Sequence, residues 1–209
     1  MNLENYYWYF TGALSPLFCD ELLKYGKMHQ EKIALTGDFS GKENLNKKEL
    51  KNLQKIRNSN IAWLSDRWIY NEIQPYVDKA NQQAKWNFQW DYSEACQFTK
   101  YGIDQYYGWH SDSNNQPYNT PEDLNIHGKI RKLSVTCSLS DPSEYEGGEL
   151  EFNFNNPQKF KKENIRKCKE ILPRGSLVVF PSFVWHRVAP VKKGTRYSLV
   201  IWNLGHPFK

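Results

Sequence analysis

From Phe88 to Leu204 the chain is cut into short runs of aromatic and β-branched residues, each closed by a turn signal, and this rhythm constrains the fold more than any other feature. The runs are Phe88 to Trp90, Glu94 to Tyr101, Gln105 to His110, Arg131 to Leu139, Glu149 to Phe154, Ser176 to Phe180, His186 to Val191 and Arg196 to Leu204. Asp141-Pro142, Gly147-Gly148, Pro173-Arg174-Gly175 and Lys193-Gly194 punctuate them. About eight strands at this spacing predict an antiparallel jelly roll, a double-stranded β-helix.

The N-terminal part has a different period. Tyr6 to Phe10 reads as an opening strand. Ser15 reads as an N-cap, with Phe18, Leu22, Leu23 and Tyr25 giving a helix an apolar face to about Met28. Gly37 to Asn60 is polar and rich in Lys and Asn, either a loop or in part a helix from Lys47 to Ile56. Ser65 to Ala84 reads as a long helix that Pro75 must kink or break. The expected class is therefore α+β, mainly β: one domain over 1–209, with a helical flank about 1–87 and a jelly-roll core about 88–205.

Within the strands, His110 and Asp112 stand two apart, and alternation puts two such side chains on one face. His186 comes from a distant strand. Two imidazoles and a carboxylate make a facial triad that leaves half of an octahedron open, which suits non-haem Fe(II) meeting both an organic chelate and O2. A bare His-x-Asp is a weak pattern, but this one ends the aromatic strand Tyr106-Tyr107-Gly108-Trp109, just before a long polar loop from Ser113 to Lys129. Arg196 sits among Tyr197, Leu199, Val200, Ile201 and Trp202, so it reads as buried and in need of an anion. Its planar fork matches a carboxylate, which points to a dicarboxylic co-substrate; Tyr101 could add a phenolic hydrogen bond. His29, His127 and His206 lack such a setting.

Composition narrows the rest. Lys and Arg number 28 against 23 Asp and Glu, and the excess of +5 comes largely from two runs, Lys42 to Lys55 and Lys159 to Lys169, so nucleic acid is not the favoured partner. The first of these runs reads as a solvated face. No basic leader with an apolar core opens the chain, and no segment is long and apolar enough to span a bilayer. Cys19, Cys96, Cys137 and Cys168 form no CxxC pair and read as free thiols, so a cytoplasmic enzyme without membrane contact is expected.

Tyr101, His110-Ser111-Asp112, Arg131-Lys132-Leu133-Ser134, Tyr145-Glu146-Gly147-Gly148-Glu149-Leu150, Phe180-Pro181, His186 and Arg196, in this order, resemble the Fe(II)/2-oxoglutarate-dependent dioxygenases, specifically their prolyl 4-hydroxylase-like (PKHD-type) branch. The likeness covers about Glu94 to Trp202, and Leu14 to Leu23 is similar to the family's first helix. It implies Fe(II) at His110, Asp112 and His186, 2-oxoglutarate anchored by Arg196 and Tyr101, O2 as oxidant and ascorbate as an accessory reductant. It also implies oxidative decarboxylation to succinate and CO2, coupled to hydroxylation of proline in a peptide or protein. Tyr107, Arg131 and Trp202 fall where family members meet substrate or line the site. Polar Gly37 to Asn60 and Ser113 to Lys129 are candidates to close over it. Leu204 departs from the pattern, standing where some peptide hydroxylases have a histidine.

Other readings keep part of this set. Nucleic-acid dealkylases typically carry a second Arg six residues after the anchor, where this chain has Trp202. A non-catalytic jelly-roll module could stack a sugar or a proline on Tyr106, Tyr107, Trp109 and Trp185, but has no use for the ligand set plus Arg196. A free amino acid or small metabolite is a further substrate class for the same chemistry.

Overall fold

Ser15 accepts the Phe18 N–H at 3.1 Å and so starts α1 (Pro16–Met28), whose Cys19, Leu22 and Gly26 are buried. Asn46 caps α2 (Lys47–Ile56) with a reciprocal bond from Glu49, so the polar stretch is in part helical. Lys47, Lys48, Lys51 and Lys55 are exposed on α2 and only Leu53 is fully buried. In α3 (Arg67–Gln83) the helix runs on through Pro75. An interior proline costs about 3 kcal/mol, whereas full burial of Ile69, Ile73 and Val77 contributes roughly 1.5–3 kcal/mol for each side chain. Packing outweighs the break that the sequence predicts.

The computed structural model describes residues 3–29, 31–39, 41–42, 44–113, 116–154 and 164–208. Residues 159–163 of the second basic run lie outside them. The strands in chain order are β1 (Trp8–Phe10), β2 (Lys32–Ile33), β3 (Arg57–Asn58), β4 (Asn60–Leu64), β5 (Tyr92–Ser93), β6 (Cys96–Tyr101), β7 (Tyr106–His110), β8 (Ile130–Ser138), β9 (Tyr145–Gly147), β10 (Leu150–Asn153), β11 (Ile165–Lys167), β12 (Leu177–Pro181), β13 (Trp185–Val188), β14 (Val191–Gly194) and β15 (Arg196–Gly205). They form an eight-stranded sheet in the order β1-β12-β8-β15-β6-β4-β2, with β5 paired to β15, and a five-stranded sheet in the order β11-β10-β13-β7-β3. A two-stranded β14-β9 ribbon completes them. Every pairing is antiparallel, as the jelly-roll expectation requires.

The helices and the outer face of the large sheet share the main core, where Phe98, Leu133, Val135, Leu199 and Ile201 meet Ile69, Ile73 and Val77. The other face of that sheet looks toward the small sheet and carries Gln97, Thr99, Tyr101, Ser134, Arg196 and Ser198 at alternate positions. On β12 the same inner face is apolar, with Val178 and Phe180 packed on Leu150 and Phe152 of the small sheet, so the polar positions gather on β6, β8 and β15, where the site lies.

Several local expectations differ from the structure. Phe88 to Trp90 is not a strand, because the Asn81 side chain takes both backbone groups of Phe88, accepting its N–H and donating to its carbonyl at 2.9 Å each. His186 to Val191 is two strands, separated by Ala189-Pro190. The early segment also supplies β1 to β4 to the sheets. Among the described residues no helix is long and apolar enough to cross a membrane.

Candidate metal centre

His110 ends β7 and His186 lies on the neighbouring β13, directly opposite it in register. Asp112 is not on the strand. It sits in a bend just past it, so strand alternation does not set its direction. Its position comes instead from Ser182, whose carbonyl accepts the Asp112 and Ser113 N–H groups at 2.8 and 3.0 Å. The three side chains offer ligand atoms within 4.8 Å of one another. Nε2 of His110 is 3.5 Å from Asp112 Oδ1, and Nε2 of His186 is 3.5 Å from Oδ2.

The second nitrogens fix the imidazoles. Nδ1 of His110 lies 2.8 Å from the Gly108 carbonyl, and Nδ1 of His186 lies 3.0 Å from that of Val184. A carbonyl can only accept, so each Nδ1 bears the proton and each Nε2 turns a lone pair inward. Burial, then the nearby His110, push His186 down to about 4, against the pull of Asp112. Burial tends to raise the Asp112 carboxyl, but His186 and the bond and charge of His110 hold it well below the usual range. Ser134 donates to Asp112 Oδ2 at 2.7 Å and lies 2.9 Å from the Ser182 hydroxyl. Two imidazoles, each tied by Nδ1 to a backbone carbonyl with Nε2 facing inward, and a carboxylate, all converging, are a fitting donor set for a divalent transition metal.

A bulge in β7 explains the next layer. One step from His186 to Val188 on β13 is matched by three residues, His110 back to Tyr107, on β7. Tyr107 and His110 thereby stack, with ring centroids 3.6 Å apart. The Tyr107 hydroxyl is 2.8 Å from Thr36 Oγ1, and the Arg57 guanidinium stands 4.4 Å from its ring. Arg57 lies in the polar segment read as a lid candidate and Thr36 just before it, and neither was singled out as a site residue.

Arg196 begins β15 opposite Tyr101 on β6. Tyr101 and Trp109 are on different sheets, so β6 faces β7 across the site rather than pairing with it. Arg196 is 2% exposed, and among the described residues its one side-chain hydrogen bond is a 3.3 Å contact from Nη1 to Ser198 Oγ. It has no acidic partner among the described residues. Gly148, at φ +64°, makes room for it: a Cβ there would come within 3.0 Å of Arg196 Cδ.

Arg131 is already engaged. Its Nε and Nη2 donate to the two oxygens of Glu94, and its guanidinium lies 3.9 Å from the Trp202 ring. Tyr118 also donates to Glu94, at 3.0 Å. Trp202 is buried with Nε1 unpartnered, and Trp63 approaches it at 6.2 Å. Leu204 is fully buried. Ser134, Ser182, Glu94, Trp63, Thr36 and Arg57 are therefore contacts that sequence reasoning did not single out. Ser134 and Glu94 lay in segments read as site strands and Arg57 in the polar segment read as a lid, but none of them was singled out as a residue.

Comparison with known proteins agrees with this geometry. Residues 96–203 match the model of the 2OG-Fe(II) oxygenase superfamily. A PKHD-type hydroxylase of Synechococcus sp. (strain CC9902) is 39% identical over 97 residues, 46% of this chain and 35% of that protein, so the match spans about a third of the relative's length. The viral collagen prolyl hydroxylase of Paramecium bursaria Chlorella virus-1, solved with 2OG, superposes with a TM-score of 0.64 at 21% identity, covering 97% of each chain. A Trichoplax adhaerens prolyl hydroxylase, solved with a peptide fragment of a hypoxia inducible factor oxygen degradation domain, gives 0.61 at 17% identity over 96% of this chain and 84% of that one. At such identities the two structures speak for the fold, and the family match covers just over half of the chain. The chain belongs to the 2OG-Fe(II) oxygenase superfamily.

Proposed function

We propose that this chain is an Fe(II)- and 2-oxoglutarate-dependent dioxygenase that hydroxylates proline in a peptide or protein, acting as one domain. The observation that carries the reading is the pairing of a converging His-Asp-His set with a buried Arg196, without an acidic partner among the described residues, on the large-sheet face that looks toward the small sheet bearing both imidazoles. An uncompensated guanidinium is costly to bury, and a dicarboxylate supplies what it lacks.

In this reading His110, Asp112 and His186 hold Fe(II), while Arg196 and the Tyr101 hydroxyl hold the far carboxylate of 2-oxoglutarate. When bound, these cofactors supply the oxidative decarboxylation to succinate and CO2 that lets O2 hydroxylate a C–H bond. The chain's own work is orientation and exclusion of water. Ser134 and the Ser182 carbonyl keep Asp112 aimed, and the carbonyls of Gly108 and Val184 orient each imidazole. Tyr107, Arg131 and Trp202 form the substrate side, where Glu94 fixes the guanidinium across the indole face. Residues 57–60 of the first polar segment are tied into β3 and β4, so the lid candidates are the described residues of 37–56 and 113–129. Likeness of fold to proteins named prolyl hydroxylases, one of them solved with a peptide, favours a peptide over a nucleobase.

The test is to supply Fe(II), 2-oxoglutarate and proline-containing peptides, and to measure succinate together with peptide mass. Succinate in step with the gain of one oxygen on proline is expected. Succinate stimulated by methylated single-stranded DNA or free amino acids, and not by any peptide, would contradict the peptide reading.

A further inference from the structure

At the C-terminal end of β15, away from the metal centre, Phe88, Trp90, Phe208 and His206 surround a cavity of about 590 Å³ into which Lys132 is built. None of the three metal ligands, nor Arg196 or Tyr101, lines it. Its size falls within the range of roughly 300–1,000 Å³ that small-molecule sites occupy.

The fold takes trouble to place the lysine there. Opposite the step from Asn203 to Leu204 on β15, β8 spends two residues, Leu133 and Arg131, so Lys132 is the extra residue of a bulge. A bulge re-aims a side chain that would otherwise follow the sheet's alternation. Gly205 closes the wall, since a Cβ there would come within 2.3 Å of the Gln89 carbonyl, so only glycine lets segment 87–91 lie across the strand end.

Lys132 is 5% exposed, and its ammonium stands 4.4 Å from the Phe208 ring centroid. That ammonium makes no hydrogen bond or ion pair among the described residues, while the Lys132 carbonyl accepts the Ser182 N–H at 2.9 Å. The nearest acid acting on it, Asp91, is engaged by Lys129 at 2.6 Å. Asp91 also lines the cavity, but Lys129, outside the lining, neutralises it, so Lys132 is the lining charge with no direct counter-ion among the described residues. Phe88 and Phe208 meet edge to face at 4.7 Å, presenting apolar ring surface next to that charge. Burial lowers the affinity of Lys132 for its proton, the cost that a bound anion would remove.

We propose that this cavity is a second small-molecule site, selective for a planar aromatic monocarboxylate, with Lys132 as counter-charge and Phe88, Trp90 and Phe208 as ring contacts. One lysine beside a self-cancelling Asp91–Lys129 pair matches a single negative charge. Aromatic walls match a flat apolar body better than they match a hydrated inorganic ion. This site is independent of the dioxygenase reading.

The test is calorimetric titration of the full chain with 2-naphthoate, and with 2-naphthamide as its neutral counterpart. Saturable one-site binding of the carboxylate is expected, with the amide at least ten-fold weaker and no displacement by saturating 2-oxoglutarate. Lys132→Met keeps the apolar stem and should weaken naphthoate at least ten-fold without lowering the melting temperature. Should that variant fail to fold, Phe208→Ala, at a half-exposed ring, should weaken naphthoate several-fold by itself. No saturable binding, equal affinity for acid and amide, an unchanged affinity in both variants, or displacement by 2-oxoglutarate would each overturn the proposal.

Discussion

Ser134 donates its hydroxyl to Asp112 Oδ2 at 2.7 Å, from the centre of one sheet to a carboxylate held at the edge of the other. Both residues are buried, and Ser182 contacts each of them, Ser134 through its hydroxyl and Asp112 through its carbonyl. The carboxylate is therefore fixed by the large sheet, while both imidazoles come from the small one.

Removing that hydroxyl should loosen the metal without dismantling the fold. Ser134→Ala is expected to weaken Fe(II) affinity by about 10- to 100-fold, the usual effect of losing a partner of a metal ligand. Anaerobic Fe(II) titration measures it. An unchanged affinity would mean that Ser182 alone positions Asp112.

Arg196 gives a prediction with opposite signs for binding and stability. Arg196→Met removes an uncompensated buried cation, so the cofactor-free protein should melt no lower than the wild type. The same change removes charge-assisted bonds to the co-substrate, about 1.5–3 kcal/mol, and should weaken 2-oxoglutarate at least ten-fold while metal affinity stays. A large loss of melting temperature would indicate a structural partner for the guanidinium instead.

Gly148 tests the room made for that arginine. Gly148→Ala forces φ +64° on an L-residue, about 1–2 kcal/mol, and sets a methyl against Arg196 Cδ and Val191 Cγ2. A lower melting temperature together with weaker 2-oxoglutarate binding is expected. A drop in stability with full 2-oxoglutarate affinity would show that the arginine shifts at no cost.

The four thiols are all buried, and burial raises each of them, Cys96 and Cys168 to about 12. In the native protein at about pH 8 they should resist a thiol-specific disulfide reagent, and all four should react after denaturation. Rapid native labelling would contradict the packing of α1, β6, β8 and the β11 end.

The three candidate ligands that the structure brings together were legible because each rests on residue type in a short local pattern, His110 and Asp112 before a polar loop and His186 after an apolar run. Their geometry was not. Strand alternation suggested that His110 and Asp112 share a face, whereas the Ser182 carbonyl, seventy residues away in sequence, is what places Asp112. The β7 bulge that stacks Tyr107 on His110 leaves no mark in composition. Arg57 and β4 were hidden by the polar stretch before them, and Phe88 to Trp90 imitated a strand because nothing local reveals that Asn81 occupies its backbone groups. Arg131 was legible as a site residue, but its bidentate bond to Glu94 is a tertiary fact.

The most direct measurement is an anaerobic titration of Fe(II) and 2-oxoglutarate into the protein, following the visible metal-to-ligand charge-transfer band. The account predicts a saturable band that is lost in Asp112→Ala and needs much more 2-oxoglutarate in Arg196→Met. Iron binding with no band at any 2-oxoglutarate concentration would contradict the claim that His110, Asp112, His186 and Arg196 form one cofactor site.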